Sequence, residues 1–269
     1  MSTPPYAHGT GLRTALHAEW TKLRSVSGTF GLLLATIALT TAVGLTAVTG
    51  VRCPPEGCDA DPTKISLAGI ALGQAAIAVL AVVAIAGEYS TGMIRVSLAA
   101  VPHRGTLLTA KALVITAMAV VAGTIAVLGS VLAGKLILPG RGFTSGHGHP
   151  PLSLADGPVL RAATGSVLYL ALIALLSLGV ATAVRDSATA IGVVLGLLYL
   201  FPILAAVVTD PDWSRRLLQV GPMSAGLAIQ ATTDLHDLPI APWAGLGVLA
   251  AWAAAALLAG ALRLRLRDA

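Results

Sequence analysis

Gly129, Gly134 and Lys135 have the G-x-x-x-x-G-K spacing of a loop that cradles nucleotide phosphates. That chemistry needs a Ser or Thr after the lysine to hold magnesium, and a strand-to-helix turn to aim the backbone N–H groups. Leu136 follows instead, and the run closes a long apolar segment. No other nucleotide motif occurs, so ATP and magnesium must be bound by another chain. His147 and His149 form a His-x-His pair, but a zinc site takes at least three protein ligands. A polar loop is the simpler reading, and no metal site is expected. Cys53 and Cys58 are the only cysteines. In an oxidising compartment they close a short loop as a disulfide; otherwise they are two free thiols. There is no Gly-x-Ser-x-Gly elbow and no His-Glu-x-x-His helix. The apolar cores contain no ionisable residue, which disfavours both an intramembrane enzyme and an ion-coupled carrier.

The elements that would carry these residues are set by hydropathy. The chain has 269 residues, of which 56% are hydrophobic and 11% charged. Its mean hydropathy is +0.85. Soluble domains are about 25% charged, so this surface is not built to face water. Six stretches lack any Asp, Glu, Lys or Arg: 25–51, 65–87, 112–134, 162–184, 187–209 and 238–262. The shortest of these would form a helix about 34 Å long, enough for a hydrocarbon core of about 30 Å. They are continuously apolar rather than alternating, which fits helices and not an outer-membrane barrel. The expected fold is all-α: one polytopic transmembrane domain over residues 1–269. Its spans lie near 28–50, 65–87, 112–134, 162–184, 187–209 and 239–262.

Six spans put both termini on one side. With the termini inside, the inner segments hold ten Lys and Arg and the outer loops seven. That bias has the sign expected of a chain with cytoplasmic termini. The net charge of +5 is then a matter of topology and anionic lipid, and nucleic acid is not an expected partner. Met1–Gly11 reads as a tail. Beyond it, Leu12, Leu16, Trp20 and Leu23 share a helical face beside Arg13, His17 and Arg24. That pattern suits either an N-terminal helix in the membrane interface or an extension of span one. The loop 139–158 is rich in Gly, His and Pro, its glycines and prolines make it turn-forming, and its role is open.

The inner loop between spans two and three, residues 88–111, carries the most specific pattern. Ile94, Leu98 and Val101 recur at helical spacing and Pro102 ends the run. An amphipathic helix there, with Arg95 and Arg104, either docks into a soluble partner or hugs the membrane. The loop resembles that of type-2 ABC transporter permeases, especially actinobacterial ones. Their pattern is Glu-Tyr-x-x-Gly-x-Ile-Arg, then Leu-Ala-x-x-Pro-x-Arg and a later Lys. The matching residues are Glu88, Tyr89, Gly92, Ile94, Arg95, Leu98, Ala99, Pro102, Arg104 and Lys111. The opening Ala18–Ser25 is also similar to the family's entry into its first span.

The resemblance implies a permease that performs no chemistry itself. It would pair with a second permease copy or paralogue and with ABC ATPase subunits, in a bacterial plasma membrane. Residues 88–104 would be the main coupling element, and Arg185-Asp186 a second contact. Short re-entrant helices are expected over 210–237, at Trp213–Val220 and Pro222–Gln230. Gly69 and Gly73 in span two, and Gly192 and Gly196 in span five, permit close packing, either between copies or within one. Gln74, the one amide inside a span, either meets substrate or bonds a neighbouring helix. Pro202 should kink span five. Tyr199 and Phe201 near it line a cavity or face lipid. An uncharged path favours export of hydrophobic or amphipathic cargo: drug, antibiotic, lipid or peptide. The alternative is a non-transporting sensor, immunity factor or scaffold.

Overall fold

The computed structural model describes residues 8–25, 27–54, 58–90, 92–93, 104–145 and 152–267. Those residues contain helices and no strand. Six helices have the length and apolarity to cross a membrane: Gly28–Gly50, Ile70–Tyr89, Gly105–Arg141, Gly157–Val184, Ser187–Val207 and Pro242–Leu264. The chain is a multi-pass membrane protein.

Helix α1 (His8–Ser25) is separate from α2 (Ser27–Gly50), the first span. It begins inside the segment expected to be a tail. Ala15, Glu19 and Leu23 form its buried face, whereas Trp20 is exposed. A carboxylate at the centre of that face already departs from an interfacial helix lying on lipid alone.

The second span departs from the expected continuous run 65–87. A short α3 (Pro62–Ser66) is capped by Asp61, whose carboxylate accepts from Thr63 N at 3.0 Å and Lys64 N at 3.1 Å. The chain then turns through Leu67–Gly69 before α4 (Ile70–Ser90). Tighter bonds bridge the break, with Ile70 N donating to Leu67 O at 3.0 Å and Leu72 N to Gly69 O at 3.1 Å. The cause is packing. A Cβ on Gly69 would lie 1.9 Å from Thr40 O of α2, so only a glycine lets the two backbones meet.

Helix α5 (Arg104–Ile137) has 34 residues and extends beyond its apolar core at both ends. Gly129–Lys135 lies inside this unbroken helix, which excludes a phosphate-binding turn there. Helix α6 (Gly157–Val184) is central, and its Tyr169, Leu170, Ile173, Leu176 and Leu178 are fully buried. Helix α7 (Ser187–Val207) runs through Pro202. Two short helices follow where a re-entrant pair was expected: α8 (Pro211–Val220) and α9 (Pro222–Leu227), the latter continued by a 3₁₀ turn at Ala228–Gln230. The last span is α10 (Pro242–Arg267). It crosses α6 at a small-residue contact, where a Cβ on Gly179 would meet the Ala256 carbonyl carbon at 2.5 Å.

Coverage differs between spans. In the second and fourth, 61% of the most apolar window is buried, but only 22% in the first and fifth. Methyl groups on Gly192 or Gly196 of α7 would meet nothing within 4 Å. By contrast, Gly73 of α4 faces Thr40 Oγ1 of α2. The two glycine pairs therefore differ: one seals a contact within the chain, and the other lies open.

Candidate functional site

Four charged side chains meet at the end of the bundle that carries α1. Lys111, two turns inside α5, donates from Nζ to Glu19 Oε2 at 2.5 Å, Glu88 Oε1 at 3.0 Å and Ala84 O at 3.1 Å. Lys22 Nζ donates to Glu19 Oε1 and Glu88 Oε1, both at 3.1 Å. Glu19 and Lys111 are each 1% exposed. These charges join α1, α4 and α5. Burial pulls the Lys22 pKa down, but its hydrogen bonds with Glu19 and Glu88, and their charges, outweigh that pull. The net shift is upward from 10.5, so its pairs are intact at neutral pH and fade only in alkali.

The six charge-free cores hold none of these four residues, and the cluster is buried just beyond their ends. The charge-free runs stop at 87 and start at 112, but their helices continue. Glu88 therefore lies in the last turn of α4 and Lys111 within α5. Burial of either charge alone would cost several kcal/mol, roughly, and opposite charges in contact offset that cost. The signal available in the sequence was the sign pattern: an acid closes span two, a base opens span three, and Glu19-x-x-Lys22 precedes span one.

A second set of contacts lies beside the first. The Arg185 guanidinium stacks over the Tyr89 ring, 5.3 Å from its centroid. Its Nη2 donates to Arg263 O at 3.1 Å, and Arg263 Nη1 donates to Ala183 O at 2.8 Å. Arg185 takes the left-handed conformation, φ 69°, that turns α6 into α7. Asp186 caps α7 by accepting from Thr189 N at 2.8 Å. The Thr189 side chain and backbone bonds hold the Asp186 carboxyl below its ordinary 3.8. Thus Glu88, Tyr89, Arg185 and Asp186 share one end of the molecule. Gly92, at φ 71°, turns the chain just after α4. Ile94, Arg95, Leu98, Ala99, Val101 and Pro102 lie outside the described residues, as do His147 and His149. Arg104 begins α5.

A cavity of about 460 Å³ opens against the charge cluster, between α1, α2 and α4. Leu23, Leu32, Leu80, Val83 and Ala84 form its apolar wall, and Glu19, Lys22, Glu88 and Lys111 its polar one.

Gln74, Tyr199 and Phe201 lie elsewhere. Tyr169 of α6 donates its hydroxyl to Gln74 Oε1, and Gln74 Nε2 donates to Ala71 O at 3.0 Å. The Tyr199 hydroxyl of α7 donates to the same Ala71 carbonyl at 2.6 Å. Spans two, four and five are thereby tied by one polar node. Phe201 meets Trp252 of α10 edge-on, with centroids 6.4 Å apart.

The opposite end is closed by covalent and polar links. The Cys53 and Cys58 sulfurs are 2.04 Å apart, and Cys53 N donates to Arg141 O at 2.9 Å. Asp61 also accepts from Thr232 Oγ1 at 2.8 Å and Thr233 N at 3.2 Å. Among the described residues no group of three His, Cys, Asp or Glu could hold a metal.

Comparison with known families decides what this arrangement belongs to. The family of ABC-2 family transporter proteins matches residues 15–203. The chain belongs to that family. The resemblance drawn from Glu88 to Lys111 is borne out. No curated protein matches the chain. The ABC-2 match opens at Ala15 in α1, so it takes in Glu19, Lys22, Glu88, Lys111 and Arg185. An ABC-2 chain is a membrane permease of an ABC transporter, and such permeases work with an ATPase subunit.

Proposed function

We propose that this chain is the permease of an ATP-driven exporter in the bacterial plasma membrane, with both termini cytoplasmic and a second permease copy or paralogue beside it. The ATPase subunit binds the ATP and magnesium. It would act on the loop between α4 and α5 and on the Arg185-Asp186 turn. The observation that carries this reading is the charge cluster. It fixes the root of that loop, on both its sides, to α1, so a push on the loop is delivered to three helices at once. Two access states differing in how they engage the ATPase would then be coupled to its nucleotide cycle. An apolar path supports a hydrophobic or amphipathic cargo.

The test is co-purification with a Walker-motif protein, followed by ATP turnover of the complex in vesicles. Arg95→Ala should lower cargo-stimulated turnover about tenfold, equivalent to about 1.4 kcal/mol of lost coupling, while leaving chain abundance unchanged. Unchanged stimulation would remove the loop from the coupling path. Failure to recover any ATPase would favour the sensor or scaffold reading.

A further inference from the structure

The cavity beside the charge cluster has a property that the coupling role does not use. Hydrogen-bond accounting in the cluster is one-sided. An ammonium has three protons, and Lys111 commits all three, to Glu19, Glu88 and the Ala84 carbonyl. Glu88 receives both lysines on Oε1, while its Oε2 is buried and has no hydrogen-bond partner. A buried carboxylate oxygen without a donor is costly, and such orphans are rare in folded proteins. Glu88 also lines the cavity, whose volume of about 460 Å³ lies within the usual range of ligand sites, about 300–1,000 Å³. The remaining wall is aliphatic, and Val83 and Met93 on it are exposed to the surroundings.

We propose that this cavity binds an amphiphile with a protonated amine head and an aliphatic body, the ammonium donating to Glu88 Oε2. The apolar body fits the Leu23, Leu32, Leu80 and Val83 wall, and entry past Val83 lets it arrive from the bilayer. The head is fixed by chemistry. An anionic head would confront the unpartnered carboxylate oxygen, with no proton left on Lys111 and with Lys22 already engaged by both carboxylates and a further contact. A hydroxyl head could also donate, but only an ammonium adds the attraction of opposite charges, which is strong where water screens poorly. The cluster is neutral as a whole, so the attraction is local, at the oxygen that neither lysine touches. The site needs no ATPase subunit, so it stands or falls separately from the export reading.

The full chain, purified in a nonionic detergent, is titrated with dodecylamine, dodecanol and dodecyl sulfate, and bound amphiphile is counted by native mass spectrometry. One dodecylamine should be retained at least tenfold more tightly than dodecanol, and dodecyl sulfate should not be retained. Glu88→Gln should bring the amine down to the level of the alcohol. Val83→Trp, which fills the cavity from its exposed wall and spares the ion pairs, should weaken both at least tenfold. Equal retention of amine and alcohol by the unaltered chain overturns the proposal. So does an amine preference that survives Glu88→Gln, or amine binding that survives Val83→Trp.

Discussion

At the scale of single residues, Lys111 holds the charge cluster together. Buried as deeply as Glu19, it compensates two carboxylates at once. Replacing it with methionine preserves the helix and most of the volume but leaves Glu19 and Glu88 facing each other with only Lys22 between them. Breaking a buried ion pair from one side costs about 3–5 kcal/mol. Lys111→Met should therefore lower the thermal midpoint of the detergent-solubilised chain by many degrees. Adding Glu19→Gln and Glu88→Gln should recover most of the loss, because no buried charge then remains unpaired. If the triple variant is no better than Lys111→Met alone, the cluster does not act as one electrostatic unit. The sequence contained every member of this cluster, and the resemblance had singled out Glu88 and Lys111. Their meeting was not legible, because a charge at the edge of an apolar run reads as the end of a helix. In the structure the helix continues for another turn or more, and the partner is 92 residues away.

At the scale of elements, apolar length identified all six spans, and the family resemblance led to the short pair before the last one. What length cannot show is where a span breaks. Residues 65–87 are uniformly apolar, but the helix is interrupted at Leu67–Gly69 because α2 must approach there. Spacing also cannot separate two glycine pairs of the same G-x-x-x-G form. Gly69 and Gly73 face Thr40, and a methyl group on Gly192 or Gly196 would meet none of the described residues within 4 Å. This difference is testable with one substitution at each site. Gly69→Ala inserts a methyl group against backbone and should destabilise the chain by about 1–3 kcal/mol, the range for overpacking a filled contact. Gly192→Leu should leave the thermal midpoint of the isolated chain unchanged. In the same detergent it should convert a paired species to single chains on size-exclusion chromatography, if α7 is the face that meets a second copy. A paired species that tolerates Gly192→Leu would place that contact on another helix. The crossing of α6 and α10 at Gly179 and Gly260 was missed, since isolated glycines in two distant spans give no spacing signal.

At the scale of the whole molecule, the two ends differ in kind, and this allows the orientation to be tested. One end gathers the ion cluster, the Arg185–Tyr89 stack and the basic end of α10. The other is stapled by Cys53–Cys58 and by Asp61 holding Thr232 and Thr233, a set of links suited to an oxidising exterior. The Lys and Arg count leans the same way, ten against seven. On the proposed coupling the loop root faces the compartment that contains ATP, which is the same orientation. In a background of Cys53→Ser and Cys58→Ser, one new cysteine is placed at either end. Asp237→Cys and Ala188→Cys both occupy exposed positions outside the helix cores. A membrane-impermeant maleimide should label Asp237→Cys in intact cells and reach Ala188→Cys only after permeabilisation. The reverse pattern would put α1, the loop root and the Arg185 turn outside the cell. No ATPase could then act on them, and the charge cluster would have to be explained as a purely structural clasp.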